Sequence, residues 1–125
     1  MKKDILNRAD IENLIQVFYQ KVLVDDLLAP IFNEKVQIQW EKHIPLMCDF
    51  WENTLFYSGS YKGNPMTLHQ HLNRVHSIEQ SHFNRWLLLF TATVDKLFKG
   101  PNASMAKRKA KKLASILSGM VLKSK

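Results

Sequence analysis

The chain has one cysteine, Cys48, and therefore forms no internal disulfide and assembles no cysteine-based zinc site, which fits a reducing compartment such as the cytoplasm. Glycine is scarce as well, at four residues, and no phosphate-cradling loop of the P-loop or dinucleotide type occurs. No serine sits in a nucleophile-elbow pattern, so hydrolase machinery is absent from the sequence pattern. The longest apolar run, "WLLLF", is far short of the roughly 20 residues that cross a bilayer, and "MKKDILNRAD" has no apolar core of signal-peptide length. The expectation is an unexported protein without a membrane span. Acid is missing from one place: residues 1–102 hold 11 Lys+Arg against 11 Asp+Glu, and the other 7 of the 18 cations follow Asn102, where no acid occurs. The formal charge of +7 belongs to one terminal segment.

That segment, "ASMAKRKAKKLASILSGMVLKSK", keeps Ala106, Ala110, Leu113, Leu117 and Met120 at helical spacing with most charges between them. A solvated helix face is the ordinary reading, and contact with a polyanion or membrane surface is the sharper one. Sequence-specific nucleic-acid binding has no support beyond this charge.

What the chain does have is helical period along most of its 125 residues. This length suits a single domain over residues 1–125, able to bury roughly two-thirds of its unfolded surface. Ile11, Leu14, Ile15, Phe18 and Val22 recur at i, i+3, i+4, i+7 and i+11, with Asn7 as cap and Asp10 in the first turn. This predicts an amphipathic helix of about five turns, broken at Pro30. A second pattern runs through Trp40, His43, Met47, Phe50, Trp51 and Thr54. Pro45 inside it predicts a bend, or regular helix only from about His43 onward. After "YSGSYKGNP", Pro65 opens a short helix carrying Met66, Leu68, His69 and Leu72. A long helix with Phe83, Trp86, Leu87, Phe90, Val94, Leu97 and Phe98 on one face follows, and "KGPN" separates it from the basic helix. The fold class expected is all-α.

Four of the five histidines crowd into positions 69–82. "HQHL" does not suit zinc, because alternate residues of a helix point about 200° apart. Asp25 and Asp26 lie at a helix end, where a solvated turn is the common explanation. His43 and His69 each share a helix with apolar residues. For either alone a hydrogen-bonded core histidine is the more frequent case. Together with Tyr19 and Trp86, which add polar tips beside apolar stripes, they describe an apolar cavity with a few donors, the composition of a flat cofactor's site.

The blocks "FYQKVLVDDLLAPIFN", "WEKHIPLMCDFWENTLF", "YKGNPMTLHQHL" and "HFNRWLLLFTATVDKLFKG" resemble, in order and spacing, those of the truncated haemoglobins, specifically the third group of that family. The resemblance covers nearly the whole chain. It implies a two-over-two helical sandwich around haem b, with His69, four residues after the proline of "NP", as proximal iron ligand. His71 is then no ligand. Phe32, Phe50, Trp51, Leu68 and Leu72 would pack around the macrocycle, with Arg74 at the propionates. Tyr19, His43, Met47 and Trp86 would face the bound gas, Tyr19 and Trp86 as donors. His43 has three fates open to it, as sixth ligand, donor or gate, and crowding by Tyr19 and Trp86 favours the gate. The glycine pairs of other truncated haemoglobins are absent, as is common in the third group. The ligands implied are dioxygen, nitric oxide, carbon monoxide or peroxide. The implied role is sensing, scavenging or chemistry more than bulk delivery, with nitric oxide dioxygenase or peroxidase activity requiring an external reductase. The alternative is a cofactor-free helical interaction module using the basic C-terminal helix.

Overall fold

The computed structural model describes residues 2–30, 40–56 and 79–123. Within these stand four long helices, α1 (Arg8–Val22), α2 (Trp40–Phe56), α3 (Gln80–Leu97) and α4 (Pro101–Lys123), and no strand. Their principal contacts close a ring: α1 meets α2 and α3, and α4 meets α3 and α2. Two helices thus lie over two. Among the described residues no helix is long and apolar enough to cross a membrane.

The stripe on α1 packs as its spacing predicts, with Ile11, Leu14, Ile15, Phe18 and Val22 all buried. Asn7 Oδ1 accepts from the Asp10 N–H at 3.0 Å, which satisfies one of the donors left free at a helix start. The helix is shorter than expected, 15 residues, and stops at Val22 well before Pro30. The turn that replaces its continuation is held by Asp25, described below.

Helix α2 begins at Trp40 and runs through Pro45, so the proline neither delays nor ends it. Pro45 is the sixth residue, and the donor it lacks is one of the first an α-helix would pair internally, so the loss falls near the end of the helix. The buried line on α2 is His43, Cys48, Trp51 and Leu55, with Met47, Phe50 and Thr54 half-buried beside it. Arg8 joins α1 to α2 by donating to Asp49 Oδ1 at 2.6 Å and Glu52 Oε1 at 3.2 Å.

On α3, Phe83, Phe90, Thr93 and Val94 are buried. Its first turn is closed by its own side chain, the Glu79 N–H donating to His82 Nδ1 at 2.9 Å. Helix α4 presents Ala103, Ala106, Ala110 and Ala114 to the core and leaves Arg108, Lys109, Lys111 and Lys112 exposed. Small residues on the inner face let it lie close against its neighbours. Lys107 is the cation that turns back, to Asp95 on α3 at 2.6 Å.

Candidate functional site

Tyr19 lies one residue beyond Phe18 and four beyond Ile15, at the border of the α1 stripe. Its ring is therefore covered by the core while its hydroxyl reaches across to α2. There it meets His43, which sits on the inner face of the first turns of α2. Tyr19 Oη and His43 Nε2 are 3.2 Å apart, and the two residues are only 7% and 8% exposed. Their rings meet edge to face at 5.3 Å.

Aromatic rings continue from this pair into the core. Phe18 stands edge-on to Tyr19 at 5.0 Å, to Trp86 at 5.7 Å and to Phe90 at 5.2 Å. Phe90 in turn stacks with Trp51 at 4.8 Å and with Trp86 at 5.6 Å. Phe50 is edge-on to Trp51 at 5.3 Å. Half-buried Met47, one helical turn after His43, packs against the same cluster. Of the residues expected at the site, Tyr19 and His43 come into direct polar contact. Trp86 adjoins them through Phe18. Trp51 is buried on Phe90 as part of the core. His69, Phe32, Leu68, Leu72 and Arg74 lie outside the described residues.

Burial sets the protonation of the pair. It pushes the Tyr19 phenol above its ordinary value of 10, so the phenol keeps its proton at any physiological pH. The same cause pulls His43 down from 6.5 to about 4 and leaves its imidazole neutral near pH 7. Cys48, also buried, is pushed up to about 11 chiefly by desolvation and stays a thiol, inert as nucleophile or ligand.

An apolar wall carrying two adjacent polar tips fits one face of a flat cofactor whose ligand needs a hydrogen bond. Among the described residues no group of three His, Cys, Asp or Glu side chains is arranged to hold a bare metal ion. A cleft on the α1/α2 seam, lined by Gln16, Tyr19, Gln20, Leu23 and Ile44, measures about 200 Å³. That is below the roughly 300 Å³ at which ordinary cofactor sites begin.

A family model described as bacterial-like globin matches residues 4–120, a span that takes in the pair, its aromatic surround and nearly all of α4. The chain belongs to this family. This globin is 29% identical over 126 positions to a group 3 truncated hemoglobin of Campylobacter jejuni, with 98% of this chain and 97% of that protein covered. The crystal structure of a group III truncated hemoglobin from Campylobacter jejuni matches it with a TM-score of 0.82 at 28% identity, over 97% of this chain and 95% of that one. The resemblance read from the sequence and the all-α truncated-globin fold are borne out. Family and fold together support haem-based gas binding, and favour it over a cofactor-free helical module.

Asp25 departs from the sequence reading. It is buried, its side chain 4% exposed, and it accepts from Arg85 Nε at 2.7 Å. A solvated turn was the wrong picture, because its carboxylate closes the turn after α1 and takes an arginine from α3. The local signal was an aspartate two and three residues before a pair of leucines at a helix end, an arrangement in which the carboxylate turns inward to cap backbone N–H groups.

Proposed function

We propose that this globin carries haem b on His69 and binds dioxygen and other diatomic gases on the face lined by Tyr19, His43, Met47 and Trp86. Its role is then oxygen, nitric oxide or peroxide chemistry or sensing, more than bulk transport. The observation that carries the reading is the buried Tyr19–His43 contact of 3.2 Å in an otherwise aromatic and aliphatic wall. When bound, haem would supply an iron that a histidine imidazole can ligate and that can bind a diatomic gas. Phe32, Phe50, Trp51, Leu68 and Leu72 would form the apolar bed of the macrocycle, as the resemblance implies, with Arg74 at its propionates.

The two tips work as a unit. With its proton on Nε2, neutral His43 donates to the phenol oxygen, and the Tyr19 hydroxyl can turn its own proton toward a ligand. With its proton on Nδ1, it accepts the phenol proton and withdraws that donor. Rotation of the imidazole also changes access, so His43 acts as a gate whose closed position is the buried one against Tyr19. The Trp86 indole N–H is a second donor, and Met47 adds polarizable packing without one. A strongly polarised ligand such as dioxygen gains more from these donors than carbon monoxide does, which holds oxygen tightly and suits chemistry better than delivery. Turnover of nitric oxide or peroxide would draw electrons from an external reductase. A lone buried thiol accords with the reducing cytoplasm.

Tyr19→Phe tests this directly. Loss of a hydrogen bond to a polarised acceptor costs about 1.5–3 kcal/mol, so oxygen dissociation accelerates roughly tenfold to a hundredfold in stopped flow while carbon monoxide release changes much less. An oxygen off-rate equal to that of the parent would remove Tyr19 from the role; Trp86→Phe is the matching comparison.

A further inference from the structure

We infer that Arg85 is a positioning residue for the Trp86 indole, acting through its ion pair with Asp25, which ties the turn after α1 to the first half of α3. The inference rests on the reading of Trp86 as a donor to bound gas.

Asp25 is a fixed point. One carboxylate oxygen accepts from the Leu27 and Leu28 N–H groups at 3.1 and 3.0 Å, and the other accepts from Arg85 Nε at 2.7 Å. Leu28 is itself buried in the core, and Ala29 N–H closes the turn onto the Asp25 carbonyl at 2.8 Å. This turn follows directly on the end of α1 that carries Phe18 and Tyr19.

Among the described residues Trp86 has no hydrogen bond or ion pair of this kind. It is half-buried, and its stacking partner Phe90 lies one turn later on the same helix. That stack is set against α1 only through ring contact, Phe90 standing edge-on to Phe18 at 5.2 Å. The turn that begins α3 is closed by Glu79 and His82, again within the same element. The described ties from this part of α3 back to α1 and its following turn include the Phe18 edge contacts with Trp86 and Phe90, which are apolar, and the Asp25–Arg85 pair, which is charged. A ring edge tolerates sliding, whereas a 2.7 Å charged hydrogen bond does not. Hydrogen bonds fail within about half an ångström of their ordinary range, so a small slip of α3 is enough to withdraw the indole N–H from a ligand held beside Tyr19.

The test reads the carbon monoxide stretching band of the ferrous, carbon monoxide-loaded protein by infrared spectroscopy, because that band responds to nearby donors without turnover. Trp86→Phe sets the scale. Arg85→Gln is expected to displace the band in the same direction by roughly half that amount or more, as expected when a supporting contact is removed from a group it holds. Arg85→Lys, which retains a cation for Asp25, returns the band most of the way. Adding Arg85→Gln to Trp86→Phe produces no further displacement. An Arg85→Gln band that coincides with the parent while Trp86→Phe shifts overturns the inference and leaves the donor reading standing. A Trp86→Phe band that does not move removes both. If far-UV circular dichroism shows Arg85→Gln unfolded, Asp25→Asn decides instead: it keeps an acceptor for Leu27 and Leu28 but weakens the hold on Arg85, and an unmoved band there is equally fatal.

Discussion

Single residues at this site are governed by burial more than by neighbouring charge. His43 shows it most simply, since desolvation alone lowers its pKa from 6.5 to about 4. The unfolded chain takes up a proton near pH 6.5 that the folded chain refuses until about pH 4. Stability from neutral burial is therefore intact above pH 6.5 and drains away as pH falls toward 4, by roughly 3 kcal/mol in all. Asp10 and Asp25 act in a lower window. Their pKa values are held below the ordinary 3.8 because hydrogen bonds and lysine or arginine partners outweigh the opposing burial, so their contribution persists until pH falls below that value. Urea midpoints between pH 7 and 4.5 should fall steeply for the parent and more gently for His43→Gln, the other histidines being common to both. Parallel slopes would contradict neutral burial of His43. At this scale the sequence shows which residues carry polar tips beside apolar stripes, but it does not show that positions 19 and 43 meet, because no local pattern measures a distance between helices.

Elements are legible where one stripe faces one core, and less so where another part of the chain supplies the ending. The α1 stripe is read without error from Ile11 to Val22, and its Asn7 cap lies within three residues of the donor it serves. The start of α4 is different. Gly100 provides the carbonyl that accepts from Ser104 N–H at 2.9 Å, so it occupies the cap position, but it has no side chain with which to cap. Asp4, almost a full chain length away, does so instead, its oxygens accepting from Asn102 N–H at 3.0 Å and Ala103 N–H at 2.8 Å. The reason for glycine is visible there. Its φ is 148°, and a Cβ would stand 2.5 Å from Asp4 Cγ. "KGPN" announces a break, yet nothing near it announces the aspartate. Asp4→Ala is expected to cost about 1–2 kcal/mol, or roughly 4–8 °C in melting temperature, with Asp4→Asn milder. Equal melting of Asp4→Ala and parent would show that solvent caps α4 just as well. Gly100→Ala should lose at least as much, through both the backbone conformation and the clash.

At the scale of the whole molecule, the amphipathic stripes bring the four described helices around one aromatic core, and the ring of helix contacts brings Tyr19 and His43 together with Trp86 close by. Four cations of the charge excess, Arg108, Lys109, Lys111 and Lys112, are exposed on α4 away from its buried alanines, so they contribute little to the polar pair in the core. The fold was legible because period and block order agree over nearly the whole chain. The candidate site rests mainly on the resemblance, since a histidine in an apolar stripe is usually only a core residue. Asp25 shows the opposite failure, a functional-looking charge passed over as a solvated one. Absorbance spectroscopy of purified His69→Ala beside His71→Ala tests whether haem is held through His69. With haem ligated by His69, His71→Ala keeps the parent's Soret band and ferrous spectrum while His69→Ala loses stable haem. A red His69→Ala protein with an unchanged ferrous spectrum would contradict it.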